Sequence, residues 1–280
     1  MAIEKKPRIA IAYDFDGTLS PNNMQEYDFF PELGMSPMKF WGKAKQMAKD
    51  QNADEILAYM TLMLVEADKS ETVKVTKDAF FKYGQNIRLF NGVDTWFDRI
   101  NDYVILKGLI PEHYIISSGI REMILGSPIS PNFIEIFASS FMYDKYNVAR
   151  WPGMAVNYTT KTQFLFRISK GALKVWDHNA VNKYIPHNEL EVPFENMIYI
   201  GDGETDIPCM RVVKIKGGHS IAVYKPRSRK RKAIADSLIE NLRVDIAFPA
   251  DYLEGSKLDS YIKEIIDRIS IRYQDRQIKG

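Results

Sequence analysis

Short apolar runs that stop abruptly at polar, glycine-bearing turns recur along this chain. Arg8-Ile-Ala-Ile-Ala-Tyr13 runs into Asp14-Phe-Asp-Gly-Thr18, the pattern of a buried strand followed at once by a turn. Residues 113–116 before Ser117-Ser-Gly119, residues 197–200 before Gly201-Asp-Gly203, and residues 220–224 before Lys225-Pro226 repeat it. Helical periodicity lies between these runs, over residues 93–106, 161–181 and 206–214. Buried strands alternating with helices predict an α/β fold, a doubly wound parallel sheet with helices on both faces. Open sheets of this kind bind ligands outside the carboxyl ends of their strands, where the polar turns fall.

Two stretches do not fit the alternation. Between the first strand and the helix at Val93 lie about seventy residues rich in Met, Lys and aromatics, helically patterned over 37–67 and 72–83. That is too long for a crossover, and it predicts a helical insert at 20–87 in a Rossmann-like core formed by 1–19 and 88–280. The second excursion, 133–159, has apolar arms at Phe137-Ala-Ser-Ser-Phe-Met-Tyr143 and Met154-Ala-Val-Asn-Tyr158. Flanking the polar residues 144–153, these arms predict a hairpin flap.

Composition narrows the functional classes. At 280 residues, 45% hydrophobic and 26% charged, the chain is neither disordered, collagen-like nor coiled coil. Its 38 basic and 36 acidic side chains leave a formal charge of +2, too weak a field to predict a nucleic-acid partner. Lys225-Pro-Arg-Ser-Arg-Lys-Arg-Lys232 concentrates cations, and in a nearly neutral chain it reads as a solvated loop rather than a phosphate-backbone contact. Cys209 stands alone, so it forms no internal disulfide, and it reads as packing beside Pro208. His113, His178, His187 and His219 are scattered without ligand spacing. Lys5, Lys6 and Arg8 precede only a short apolar run, and residues 56–65 make about half a membrane span. The expectation is a cytoplasmic protein with no membrane segment.

The acidic residues carry the chemistry. Asp14 and Asp16 are two apart on extended backbone and share one face, and Gly17 lets the chain turn sharply beside them. Two carboxylates held together repel unless a cation or a shared proton intervenes, which drives their pKa values apart. Asp202 and Asp206, in Gly201-Asp-Gly-Glu-Thr-Asp206, form a second pair where a strand gives way to a helix. Glu204 between them either supports the site or answers the helix dipole. Carboxylates gathered at one sheet edge, without histidine or thiolate, describe a site for a hard, hydrated cation, hence Mg²⁺ rather than zinc.

Taken in order, Asp14-Phe-Asp-Gly-Thr18, Ser117-Ser-Gly119, the lysine of Thr160-Lys-Thr162 and Gly201-Asp-Gly-Glu-Thr-Asp206 resemble the four motifs of the haloacid dehalogenase superfamily, in its phosphoserine-phosphatase-like branch. The resemblance implies a phosphatase in which Asp14 forms an aspartyl-phosphate and Asp16 serves as acid and base. It implies Mg²⁺ held by the Asp14 carboxylate, the Asp16 backbone carbonyl and Asp202, with Asp206 adding a ligand or orienting a bound water. Ser117, the Ser118 and Gly119 N–H groups and the Lys161 ammonium would hold the phosphoryl oxygens. Lys161 opens a helix after a strand-like stretch, whereas Lys170 lies further along and points elsewhere; Ser117 is preferred to Ser118 because it follows Ile116 directly. The insert matches the superfamily's helical cap by position, and Gln25, Glu26 and Tyr27 are its candidates for facing the substrate. The expected partner is a small phosphorylated metabolite. The alternatives are a phosphotransferase or mutase using the same aspartyl-phosphate, and a phospholigand sensor without turnover.

Overall fold

The computed structural model describes residues 6–279, with side chains through residue 275. Lys5 of the N-terminal basic run, with the rest of residues 1–5, and residue 280 of the expected core lie outside the described residues. Among the described residues the strands are β1 (Arg8–Tyr13), β2 (Ile110–Ile120), β3 (Glu135–Tyr143), β4 (Ala149–Met154), β5 (Met197–Gly201), β6 (His219–Tyr224) and β7 (Ile246–Pro249). They form one sheet in the order β4-β3-β2-β1-β5-β6-β7. Every neighbouring pair is parallel except β3 with β4. From β1 the chain moves outward through β2 and β3, then returns to place β5 on the other flank of β1. The carboxyl ends of β1 and β5 therefore frame the switch point where open sheets take their ligands.

The helices are α1 (Phe29–Glu32), α2 (Pro37–Gln51), α3 (Glu55–Asp68), α4 (Lys77–Gln85), α5 (Val93–Leu106), α6 (Arg121–Gly126), α7 (Lys161–Lys170), α8 (His178–Asn182), α9 (Ile207–Ile215), α10 (Arg229–Glu240) and α11 (Lys257–Lys279). The period-two pattern of β1 sorts its side chains onto two faces. Ile9, Ile11 and Tyr13 join Trp96, Phe97 and Ile100 of α5 and Ile262 and Ile266 of α11. Ala10 and Ala12 join Phe164 and Leu165 of α7 and Met210 of α9. This is the doubly wound α/β architecture that the alternation predicts.

In the long stretch between β1 and α5, side-chain caps fix the helix starts. Ser36 accepts from Lys39 N–H ahead of α2, Asp54 from Ile56 and Leu57 N–H ahead of α3, and Thr76 from Ala79 N–H ahead of α4. Each satisfies N–H groups that a helix cannot.

Four local expectations change. The hairpin at 133–159 is present, but its first arm is β3, paired with β2 inside the sheet, so the hairpin extends the sheet edge rather than standing off as a flap. Its second arm ends at Met154, because Asn157 turns the chain into α7 by accepting from the N–H groups of Thr159 and Thr160. The helix expected over 161–181 is α7 and α8, separated by irregular chain whose carbonyls at Ala172, Lys174 and Val175 accept from buried Arg167. The basic run is not all loop: Ser228 caps α10, and Arg229 to Lys232 form its first turn. Among the described residues no helix is long and apolar enough to cross a membrane.

Candidate active site

The turn after β1 sets the site. Asp14 N–H donates to Ile200 O at 2.9 Å, carrying the β1–β5 pairing one residue past the strand. Phe15 is fully buried in the core, while its neighbours Asp14 and Asp16 line the cavity beyond the sheet edge. The Phe15 carbonyl accepts from Leu19 and Ser20 N–H, closing the turn. Gly17 sits there at φ +82°, and a Cβ on it would lie 2.3 Å from Asp202 Oδ2. The position excludes a side chain by conformation and by crowding together.

Asp14, Asp202 and Asp206 present carboxylate oxygens within 4.8 Å of one another. Lys161 Nζ lies 2.7 Å from Asp206 Oδ1 and 3.2 Å from Asp14 Oδ1. Asp206 is saturated: its Oδ1 also accepts from Tyr199 OH at 2.7 Å, and its Oδ2 from the N–H groups of Asp202 and Gly203. Lys161 and Asp206 are fully buried and hold the cluster from behind, the lysine against Asp14 and the aspartate against the turn that carries Asp202. Lys170 instead donates to Val181 O and Lys183 O, away from the site.

Electrostatics follow from burial. Desolvation and then the nearby Asp206 charge push the Asp14 carboxyl up to about 6, although Lys161 opposes them. Desolvation, then Asp206 and Asp14, raise Asp202 to about 8. Asp16 stands well above the ordinary carboxyl range through burial and then the Asp14 charge. Burial alone would lower the Lys161 ammonium, but Asp14 and Asp206 outweigh it and hold it above the usual lysine range. Asp14 Oδ1 is buried, and although it is within ion-pair distance of Lys161, no donor is aligned on it. Crowded carboxylates that resist ionisation, with an oxygen left for a further partner, fit a hard divalent cation of the Mg²⁺ type. The Asp16 carboxylate lies outside that cluster and accepts from Met24 N–H at 2.9 Å.

A cavity of about 810 Å³ opens over this edge. Ser117, Ser118 and Gly119 line it from β2, and Ser117 Oγ accepts from Gly119 N–H at 3.1 Å. The Ser118 hydroxyl is buried and unpartnered. Gln25, Glu26, Trp41 and Tyr59 wall the far side. Tyr27 does not; its hydroxyl meets Ser20 Oγ instead. Residues of the stretch between β1 and α5 meet the sheet edge here through Met24 N–H to Asp16, Ile120 N–H to Met24 Sδ, Tyr59 OH to Ser118 O, and Asn157 Nδ2 to Asp54 Oδ2.

Sequence reasoning missed Tyr59, Tyr199, Lys230 and Arg231. Tyr199 had a signal, since a buried tyrosine on a central strand needs a partner for its hydroxyl. Tyr59 had none beyond helical phase, and Lys230 and Arg231 belong to the cation-rich run 225–232, which reads as a solvated loop.

Fold and site together define an α/β protein whose ligand cavity stands on an acidic switch point. The family model for haloacid dehalogenase-like hydrolases matches residues 11–211, and the chain belongs to that family. It is 29% identical over 291 residues to an uncharacterized protein of Borreliella burgdorferi, covering 94% of this chain and 98% of that one. Among solved structures, it is similar to a HAD family hydrolase of Salmonella enterica serovar Typhi, with 19% identity, a TM-score of 0.57, and 89% and 69% of the two chains covered. A substrate-bound phosphoserine phosphatase is similar at 15% identity and a TM-score of 0.56, over 93% and 99%. At these identities the structural likeness speaks for the fold.

Proposed function

We propose that this protein is a Mg²⁺-dependent phosphatase that hydrolyses a small-molecule phosphomonoester through an aspartyl-phosphate on Asp14. One observation carries the reading: Lys161 Nζ bridges Asp14 and Asp206 inside a carboxylate cluster whose front opens on a ligand cavity. A carboxylate beside a fixed cation, with two further carboxylates close by, supports a nucleophile at Asp14 and a divalent cation next to it. Membership of a hydrolase family agrees with it.

In this mechanism an Asp14 oxygen attacks phosphorus as the bond from phosphorus to the ester oxygen breaks. The Asp16 carboxyl gives its proton to the departing alkoxide. Asp16, now a carboxylate, takes a proton from the water that attacks the phosphorus of the aspartyl-phosphate. Phosphate leaves and Asp14 is restored. Mg²⁺ held by Asp14, Asp202 and the Asp16 carbonyl would offset the repulsion between an anionic nucleophile and a dianionic ester. Asp206 positions Asp202 and Lys161. Ser117, the Ser118 and Gly119 N–H groups and Lys161 receive phosphoryl charge as it shifts in the transition state; the Gly119 N–H must turn from Ser117 Oγ to do so. Monoester hydrolysis needs on the order of 20 kcal/mol of transition-state stabilisation, more than any one of these groups supplies. The insert at 20–87 acts as a cap whose contacts with Asp16 and Ser118 shield the intermediate from bulk water.

Asp14→Asn is expected to abolish phosphate release from p-nitrophenyl phosphate, and chelation is expected to abolish wild-type turnover until Mg²⁺ is restored. Unchanged turnover in Asp14→Asn would end the proposal.

A further inference from the structure

One wall of the cavity carries more positive charge than the reaction centre uses. The first turn of α10 is Arg229-Lys-Arg-Lys232 and contains no acidic residue. A helix N-terminus favours anions, so four successive cations are held there against the dipole. Two of them, Lys230 and Arg231, line the cavity that contains Asp14 and Asp16. Arg231 Nη1 is 3.6 Å from Asp202 Oδ2, beyond hydrogen-bond distance, and the Arg231 side chain is 53% exposed. A guanidinium so placed keeps most of its donor fork available.

A second feature of the same cavity also calls for a ligand. Gln25 is 1% exposed and is among the residues that line this cavity, and its Oε1 is buried without a hydrogen-bond partner. A buried amide oxygen left unpaired is costly unless something in the cavity donates to it. The cavity, at about 810 Å³, also holds far more than a phosphoryl group.

Building on the phosphatase reading, we propose that Lys230 and Arg231 bind a second anionic group of the substrate, a phosphate or carboxylate remote from the ester that is cleaved. Gln25 accepts a hydrogen bond from a hydroxyl or ammonium of the same molecule. The substrate is thus a phosphomonoester with two anionic groups and a polar donor. Arg suits the second anion because its fork matches carboxylate and phosphate oxygens alike.

The test compares kcat/KM, read as released phosphate, for propyl phosphate, 3-(phosphonooxy)propanoate and 1,3-propanediol bisphosphate. The wild-type enzyme is expected to favour one of the two doubly anionic esters by about tenfold or more, the size of one charge-assisted contact. Which one it favours identifies carboxylate or phosphate as the second group. The Lys230→Met/Arg231→Met double variant should lose that preference, chiefly through KM. Lys232→Met should keep it, because Lys232 lies in the same turn but pairs with Asp236. Equal kcat/KM for all three esters in the wild type, or a preference retained by the double variant, would overturn the subsite. If turnover persists and depends on Asp14, only the subsite falls; if no phosphate ester is turned over, the phosphatase reading falls and takes the subsite with it.

Discussion

Lys161 shows how one residue couples stability to chemistry. It is fully buried between Asp14 and Asp206, so removing its charge leaves two carboxylates facing each other in a dry site. Lys161→Met is expected to destabilise the fold by about 3–5 kcal/mol, measured by thermal unfolding in chelator, and Mg²⁺ should recover part of the loss. An unchanged midpoint would mean the pair is not what holds the cluster. Away from the site, Trp96 Nε1 donates to Tyr13 OH at 2.9 Å, Tyr13 OH meets His113 Nδ1 at 3.0 Å, and His113 Nε2 meets Asn101 Oδ1 at 3.0 Å. With burial keeping His113 neutral, Asn101 Oδ1 accepts from Nε2–H, and Nδ1 accepts from the Tyr13 hydroxyl, so the chain runs from Trp96 to Asn101. Burial pushes its pKa down to about 3 from the ordinary 6.5. The unfolded chain therefore binds a proton that the native one refuses. The His113 contribution is full above about pH 6.5 and is lost as pH falls towards 3. Urea unfolding of His113→Gln should show a shallower loss across that window than the wild type; parallel curves would contradict the burial argument.

At the level of elements, the stretch between β1 and α5 is tied to the rest of the fold where α4 crosses α6. A Cβ on Gly84 would lie 1.9 Å from Met123 O, and one on Gly126 would lie 1.9 Å from Phe81 O. The two helices touch backbone to backbone, so Gly84→Ala must push them apart. The expected cost is about 1–3 kcal/mol, read as a lower urea midpoint at unchanged slope. A neutral result would show that the crossing yields without cost. On the other side of the insert, Tyr59→Phe removes the hydroxyl that reaches Ser118 O. It should raise KM for phosphate esters several-fold, since a neutral hydrogen bond contributes about 1 kcal/mol; an unchanged KM would leave Tyr59 outside substrate binding. Helical character over 37–67 and 72–83 was legible from periodicity, but not the break between α2 and α3, where Asn52 turns left-handed and Asp54 caps a new helix. The inward aim of α10 was not legible. The run 225–232 reads as loop, and even as helix its successive residues point about 100° apart, so nothing in the sequence turns both Lys230 and Arg231 towards the cavity.

For the molecule as a whole, the acidic switch point was the most legible feature. A run that alternates Ile with Ala and ends in Asp14 and Gly17 allows little but a buried strand and a tight turn, and Asp202 follows β5 in the same way. The register of β3 was hidden because its arm reads equally well as a hairpin or as a sheet strand. β7 escaped notice because its four residues, Ile246 to Pro249, are only partly buried. The central claim is covalent capture at position 14. Rapid quenching of the Mg²⁺-loaded enzyme during turnover, borohydride reduction and peptide mass spectrometry test it most directly, since reduction of an aspartyl-phosphate leaves homoserine. The account predicts homoserine at position 14, dependent on substrate. Reduction at another carboxylate, or no substrate-dependent reduction in an enzyme that releases phosphate, would contradict it.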